Sequence, residues 1–173
     1  MNIVACTHER HADAILAIFN EAIASSTALY VYEPRARDFM VGWFDAKRAG
    51  SYPVIGVEDS SGQLLGFASY GAFRAWPAYK YSVEHSIYID AGHRGKGLGK
   101  LLLGELIGHA RRQNYHVLVG GIDLQNHASI ALHTRFGFSH AGTIRQAGFK
   151  FGRWLDLAFY QLILETPTHP VDG

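Results

Sequence analysis

DAGHRGKGLGKLLLGELIGHARR, residues 90–112, sets glycines at 95, 97 and 99 among Arg94, Lys96 and Lys100. The residues before it, EHSIYI (84–89), read as a strand, and the residues after it repeat apolar side chains at helical spacing. The unit is therefore strand, tight turn, helix. Glycines let the backbone adopt positive φ and come close to a ligand. The first N–H groups of a helix lack acceptors within it and face outward, with the helix dipole behind them. Such a turn suits an anion of phosphate type held by backbone amides, with the three cations adding charge. Two familiar phosphate motifs are excluded by counting. From Gly92 to Gly97 the spacing suits a P-loop, but Leu98 stands where that motif needs Lys. The run is GxGxG rather than GxGxxG, with Lys100 in the last place.

Composition narrows the class. The chain has 173 residues, 48% of them hydrophobic and 18% charged, which fits one domain with a sizeable core. A net charge of +1 is no nucleic-acid signature. There is no run of about 18 apolar residues to span a membrane. The start, MNIVACTHERHADAIL, has no basic segment followed by an apolar one, so no secretory signal is expected. Cys6 is the sole cysteine, so no disulfide forms within the chain, and a reducing cytoplasm is the expected location.

Outward from the turn, NIVACT reads as a short strand and Thr7 as the cap of a helix through about Ser25. Pro34 permits a second helix start, with Gly50 as its stop. YPVIGVED and QLLGFASYGAF form a β-hairpin across a Ser-Ser-Gly turn. RAWPAYKY is an aromatic loop and SVEHSIYID a strand. A helix over 97–112 and the strand HVLVGGI follow. NHASIALHTRF is a short helix capped by Asn126 and ended by Gly137. FGRWLDLAFYQLILE supplies a last strand. The order predicts an α/β (α+β) fold, a mixed twisted sheet with helices, over residues 1–165, and a loose tail over 166–173.

R-x-x-G-x-G between a strand and a helix resembles the acyl-CoA-binding motif of the GNAT N-acetyltransferase superfamily. IDLQNHASIALHTRFGF is similar to that superfamily's later strand and helix, matching at Asn126 and Gly137-Phe138. ASSTALYVYEP (24–34), YKYSVEHSIYID (79–90), NHASIALHTRFGF (126–138) and GFKFGRWLDLAFYQ (148–161) together resemble the phosphinothricin and methionine sulfoximine N-acetyltransferase family. The likeness runs from about residue 3 to 165. It implies the GNAT fold, acetyl-CoA as co-substrate without a metal, a homodimer, and acetylation of the α-amine of a small amino-acid-like acceptor. Direct attack in a ternary complex is the mechanism implied. Another acceptor amine (a polyamine, a protein N-terminus, a xenobiotic) or a non-catalytic acyl-CoA-binding module stays open.

Amine acetylation needs a deprotonated amine, a polarised thioester carbonyl and a leaving thiolate. Glu84, in the strand before the turn, is the candidate base and counter-ion, and it matches the glutamate that the family places there. Backbone amides of Ile87, Tyr88 and Ile89 are the candidate carbonyl polarisers. The segment Arg94, Gly95, Lys96, Gly97, Leu98, Gly99 and Lys100 is the candidate cofactor turn. The family position of Asn126 contacts the pantetheine arm, and Ser129 is a second candidate there. Many GNAT enzymes have Tyr where this chain has His133, which is either an acid for the thiolate or a cofactor contact. A thiol with a pKa of about 8.5 leaves readily, so an acid is helpful rather than essential.

On the substrate side, Arg74 suits a carboxylate, with Trp76, Tyr79 and Tyr81 as pocket walls. Tyr30 and Tyr32 lie in an N-terminal loop placed to close over an acceptor, or to pack in the core or a dimer. Trp154 is read as structural or as an interface residue. Ten histidines invite a metal reading, but HERH (8–11) is not HExxH and has no cysteine pair, so no metal site is expected.

Overall fold

The computed structural model describes residues 1–172. In chain order the elements are β1 (Asn2–Ala5), α1 (His8–Ser25), α2 (Phe39–Ala49), β2 (Val54–Glu58), β3 (Leu64–Ala72), β4 (Ser82–Ile89), α3 (Leu98–Arg112), β5 (Val117–Asp123), α4 (His127–Arg135), β6 (Ser139–Lys150) and β7 (Arg153–Ile163). The strands form one seven-stranded sheet in the order β1-β2-β3-β4-β5-β7-β6. β1 with β2, β2 with β3, β5 with β7 and β6 with β7 pair antiparallel, while β4 and β5 run parallel. The fold is mixed α/β, as the order of sequence signals predicted. By contacts the chain divides into two compact units: residues 1–70 with 86–106, and residues 71–85 with 107–173.

In the first unit, Thr7 has extended backbone angles and its hydroxyl accepts the Arg10 N–H, which starts α1. Ile15, Ile18, Phe19 and Ala22 then bury one face of that helix. Phe19 meets Trp43, Phe67 and Tyr88 edge to face at 5.0–5.6 Å between ring centres, the preferred arrangement for aromatic quadrupoles. The second helix begins five residues later than Pro34 suggested. The Asn20 side chain accepts the Arg35 N–H at 2.8 Å and donates to the Arg35 carbonyl at 3.0 Å. Those backbone groups are thereby spent on a side chain, and helix forms only from Phe39.

The hairpin of β2 and β3 turns at Gly62, with φ +83°, as the Ser-Ser-Gly signal predicted. Asp59 Oδ1 holds that turn by accepting from Ser61 and Gln63 amides at 2.8 and 3.0 Å.

In the second unit, β5 lies between β4 and β7, and β6 is an edge strand. β6 has no counterpart in the sequence reading, which runs one strand through 151–165. Residues 166–172 lack regular structure. Thr166 Oγ1 hydrogen-bonds the Tyr115 carbonyl, and Val171 N–H donates to the Tyr81 hydroxyl at 3.1 Å. Among the described residues no helix is long and apolar enough to cross a membrane.

Candidate functional site

The glycine turn lies in the first unit. Asp90 ends β4 and its carboxylate accepts the Gly92 N–H at 3.1 Å, starting a short 3₁₀ turn over Ala91–His93. Gly95 and Gly97 have φ of +77° and +82°, angles that side-chain-bearing residues adopt at a cost. No atom lies within 4 Å of where a Cβ would stand on either glycine, so protein packing does not demand them. Gly99 sits within the first turn of α3 with ordinary helical geometry instead. The Lys100 and Leu101 amides close back onto the Gly97 carbonyl at 3.1 and 3.3 Å. The Leu98 and Gly99 amides precede the first of those bonds and face out of the helix end. Leu98 buries its side chain in the core, so only its amide is available to a ligand.

The cations of the turn are partly engaged. Arg94 pairs with Glu21 and donates to the Ile89 carbonyl, and Lys96 Nζ donates to the Gly92 carbonyl at 3.0 Å. Both cations are thus tied to the turn's own backbone or to Glu21. Tyr88 is buried against Phe19 and Phe67, while Ile87 and Ile89 are half-buried on the same strand. Tyr30 and Tyr32 are exposed in the segment between α1 and α2.

The second unit holds Glu84 and its neighbours. The parallel ladder aligns Ser82, Val83 and Glu84 with Val117, Leu118 and Val119. Successive side chains of a strand point to opposite faces, so Glu84 and His85 lie on opposite sides of the sheet. Two adjacent glycines of β5 make room for them. A Cβ on Gly121 would stand 3.2 Å from Glu84 Oε1, and a Cβ on Gly120 would stand 3.0 Å from His85 Cε1. Glu84 is half-buried, and burial raises its carboxyl above the ordinary carboxylate range, with the Arg74 cation acting in the opposite direction. A raised pKa makes a better base near neutral pH. Arg74 is exposed, stacks on Phe73 at 4.3 Å and donates to the Phe73 carbonyl. Trp76, at 73% exposure, stands before the short 3₁₀ turn Pro77–Tyr79.

Removing Arg74 takes away the cation that favours the Glu84 carboxylate. In Arg74→Ala the acid limb of the pH–rate profile is therefore expected to move to higher pH. A kcat/KM profile against pH checks this, and an unmoved limb would show that Arg74 does not act on Glu84.

Asn126 caps α4 by accepting the Ser129 N–H at 3.1 Å. His133, on the same helix, is buried. Its Nδ1 lies 2.7 Å from the Ser129 carbonyl and its Nε2 lies 2.8 Å from His85 Nε2. Both nitrogens are thus occupied within the chain, and neither is turned outward as an acid for a leaving thiolate would need. The sequence reading passed over His85, since a strand histidine in EHSIYI carries no sign of a partner 48 positions away. Burial pushes His85 down to about 3, with the neighbouring His133 adding to it, and lowers His133 as well.

The histidine pair has a consequence for stability. Folded His85 stays neutral below pH 6.5, whereas in the unfolded chain it takes up a proton. Stability is then lost as pH falls from about 6.5 towards 3, by at most about 1.4 kcal/mol per pH unit from one such group. Denaturant melts at pH 7 and pH 5 check this, and His85→Phe is expected to flatten the difference.

The other histidines of note serve the fold. His11 is buried, with Nε2 3.0 Å from the buried carboxylate of Glu58, which Arg10 also meets at 2.9 Å. His8 meets the edge of Phe44 instead. Among the described residues no group of three or more His, Cys, Asp or Glu is arranged to hold a metal. Burial pushes the Cys6 thiol up to about 12, which keeps it protonated and inert.

Residues 15–138 match the model of the acetyltransferase (GNAT) family. The chain belongs to the GNAT acetyltransferase family. An L-methionine sulfoximine/L-methionine sulfone acetyltransferase of Pseudomonas paraeruginosa is 46% identical over 151 residues, covering 87% of this chain and 88% of its own. A solved chain from Acinetobacter baylyi is 58% identical, with a TM-score of 0.98 over 99% of this chain and 96% of that one. A GNAT superfamily phosphinothricin acetyltransferase of Sinorhizobium meliloti, solved in complex with AcCoA, is 34% identical, with a TM-score of 0.93 over 98% and 91% of the two chains.

Proposed function

We propose that this GNAT-family chain transfers the acetyl group of acetyl-CoA to the α-amine of a small amino-acid-like acceptor. L-Methionine sulfoximine, methionine sulfone and phosphinothricin are the leading acceptors, following the names of its relatives. The observation that carries the reading is Glu84: a half-buried carboxyl with a raised pKa, cleared by Gly121, with the Arg74 cation acting on it.

In this reading the amides at the start of α3 take the pyrophosphate of acetyl-CoA, and Asn126 and Ser129 meet its pantetheine arm. Glu84 takes the proton from the acceptor ammonium, directly or through a water. The free amine attacks the thioester carbonyl carbon, polarised by amides of Ile87–Ile89. The C–N bond forms, the C–S bond breaks, and the proton that the new amide nitrogen sheds goes to the departing CoA thiolate, which leaves as thiol. Arg74 holds the acceptor carboxylate through two parallel hydrogen bonds, which only an arginine fork provides. Attack occurs in a ternary complex without an acyl-enzyme, consistent with Cys6 being held protonated.

The active species in this reading is a cytoplasmic homodimer of a one-domain chain. Phe149 on β6, Phe151 in the turn that follows and Trp154 on β7 are exposed, with Phe149 and Trp154 packed edge to face at 5.1 Å. Aromatic surface on an edge hairpin suits a second copy of the chain.

The test is CoA release from acetyl-CoA with L-methionine sulfoximine, L-methionine sulfone, L-phosphinothricin, spermidine and a Ser-starting peptide as separate acceptors. Turnover confined to the amino-acid analogues is expected. Turnover only on spermidine or the peptide would overturn the acceptor assignment, and CoA binding without any turnover would overturn catalysis.

A further inference from the structure

The buried histidines do not fit the reaction as drawn. His85 and His133 sit Nε2 to Nε2 at 2.8 Å, with Phe138 packed against both rings at 5.3 and 5.0 Å. A contact that short between two neutral imidazoles holds one proton, so one ring donates and the other accepts. The rest of the site decides which. His133 Nδ1 lies 2.7 Å from the Ser129 carbonyl, which only accepts, so Nδ1 carries a proton. A neutral His133 then has a bare Nε2, and His85 must be the donor, with its own proton on Nε2. That leaves a lone pair on His85 Nδ1. This atom is buried and makes no hydrogen bond of normal geometry; the Val119 backbone beside the ring favours a proton there and so works against this tautomer, which the His133–Ser129 contact outweighs.

The pair links two elements. His85 is in β4, next to Glu84 and facing the other side of the sheet. His133 is on α4, one turn beyond Ser129, whose N–H bonds the Asn126 cap. Gly120 supplies the room: a Cβ there would stand 3.0 Å from His85 Cε1 and 3.4 Å from His133 Nε2.

We infer that His85 is a positioning residue: its Nε2–H fixes His133 as the Nδ1–H tautomer, and His133 in turn sets the first turn of α4, where Asn126 and Ser129 receive acetyl-CoA. His133 acts through its place in this pair and is not the acid for the thiolate. The inference rests on the proposed cofactor role of Asn126 and Ser129.

Two measurements test it. In ¹⁵N-labelled protein at pH 7, the ring nitrogens of His133 are expected to show protonated Nδ1 and bare Nε2, and those of His85 the reverse. Two rings of the same tautomer, or a charged ring, would overturn the assignment without any variant. The second measurement is CoA affinity by titration calorimetry, which does not depend on the acceptor. His85→Gln keeps an amide N–H donor and is expected to bind CoA within about twofold of the parent. His85→Phe lacks a donor and is expected to bind about three- to tenfold more weakly, the worth of one hydrogen bond. In that variant the His133 ring is expected to populate both tautomers. Equal affinity in His85→Phe with a native circular dichroism spectrum would overturn the positioning role. If His85→Phe fails to fold, CoA affinity in His85→Gln carries the same test, and a tenfold loss there would overturn it. Where the protein binds CoA but turns over no amine, the proposed function fails while this inference stands.

Discussion

Replacing Glu84 by Gln is expected to lower kcat by about 10²- to 10⁴-fold, the range by which a positioned base accelerates proton transfer. Glutamine keeps the size and a carbonyl oxygen, so binding of acetyl-CoA should change little. The amine must then lose its proton to water before it attacks. Raising the pH supplies more free amine, so the deficit of the variant should shrink as pH rises from 6 to 9. Steady-state rates with L-methionine sulfoximine across that range provide the check. Full activity at pH 6 in Glu84→Gln would remove Glu84 from the chemistry, whatever its burial.

The second large effect belongs to the turn. Gly97→Ala places a Cβ where φ is +82°, which costs about 1–2 kcal/mol of stability. The new methyl meets no protein atom within 4 Å, so any further loss comes from the ligand side. Hydrogen bonds to a charged group contribute about 1.5–3 kcal/mol each, so displacing the pyrophosphate from one amide is expected to weaken CoA binding about 10- to 100-fold. Gly66→Ala provides the contrast. There a Cβ would lie 2.9 Å from the Tyr88 carbonyl, so packing suffers instead. Thermal melts and CoA titrations on both variants separate the two causes. Unchanged CoA affinity in a folded Gly97→Ala would show that the turn does not hold the pyrophosphate.

Where a structural signal is local, the sequence carried it. Thr7 and Asn126 each cap a helix through a bond three residues long, and Gly62 and Gly137 turn the chain at positive φ. The turn at 94–100 was legible for the same reason, since strand, glycines and helix are contiguous. The pattern fails where the partner is distant. The Asn20 clamp on Arg35 spans 15 positions and delays α2. The His85–His133 pair spans 48, and neither residue differs locally from a strand or helix histidine. The strand β6 was hidden for another reason. It is an edge with two register shifts, at His140/Gly142 and Ile144/Gly148, and most of its residues are exposed. Alternation of apolar and polar residues, the usual sign of a strand, has nothing to report there. Gly120 and Gly121 were read as ordinary strand residues, although the two clear space on opposite faces of one sheet.

The strand order carries a lesson about synthesis. β7, the last strand of the chain, lies between β5 and β6, which are made before it. On the ribosome β5 emerges with only β4 to pair with and β6 with no neighbour, until residues 153–163 arrive. Chains cut short before Arg153 would therefore leave β6 wholly unpaired and one edge of β5 bare. Premature termination late in the gene is thus expected to yield aggregated rather than merely inactive protein, and a reporter fused after the last strand would read completion of the sheet itself.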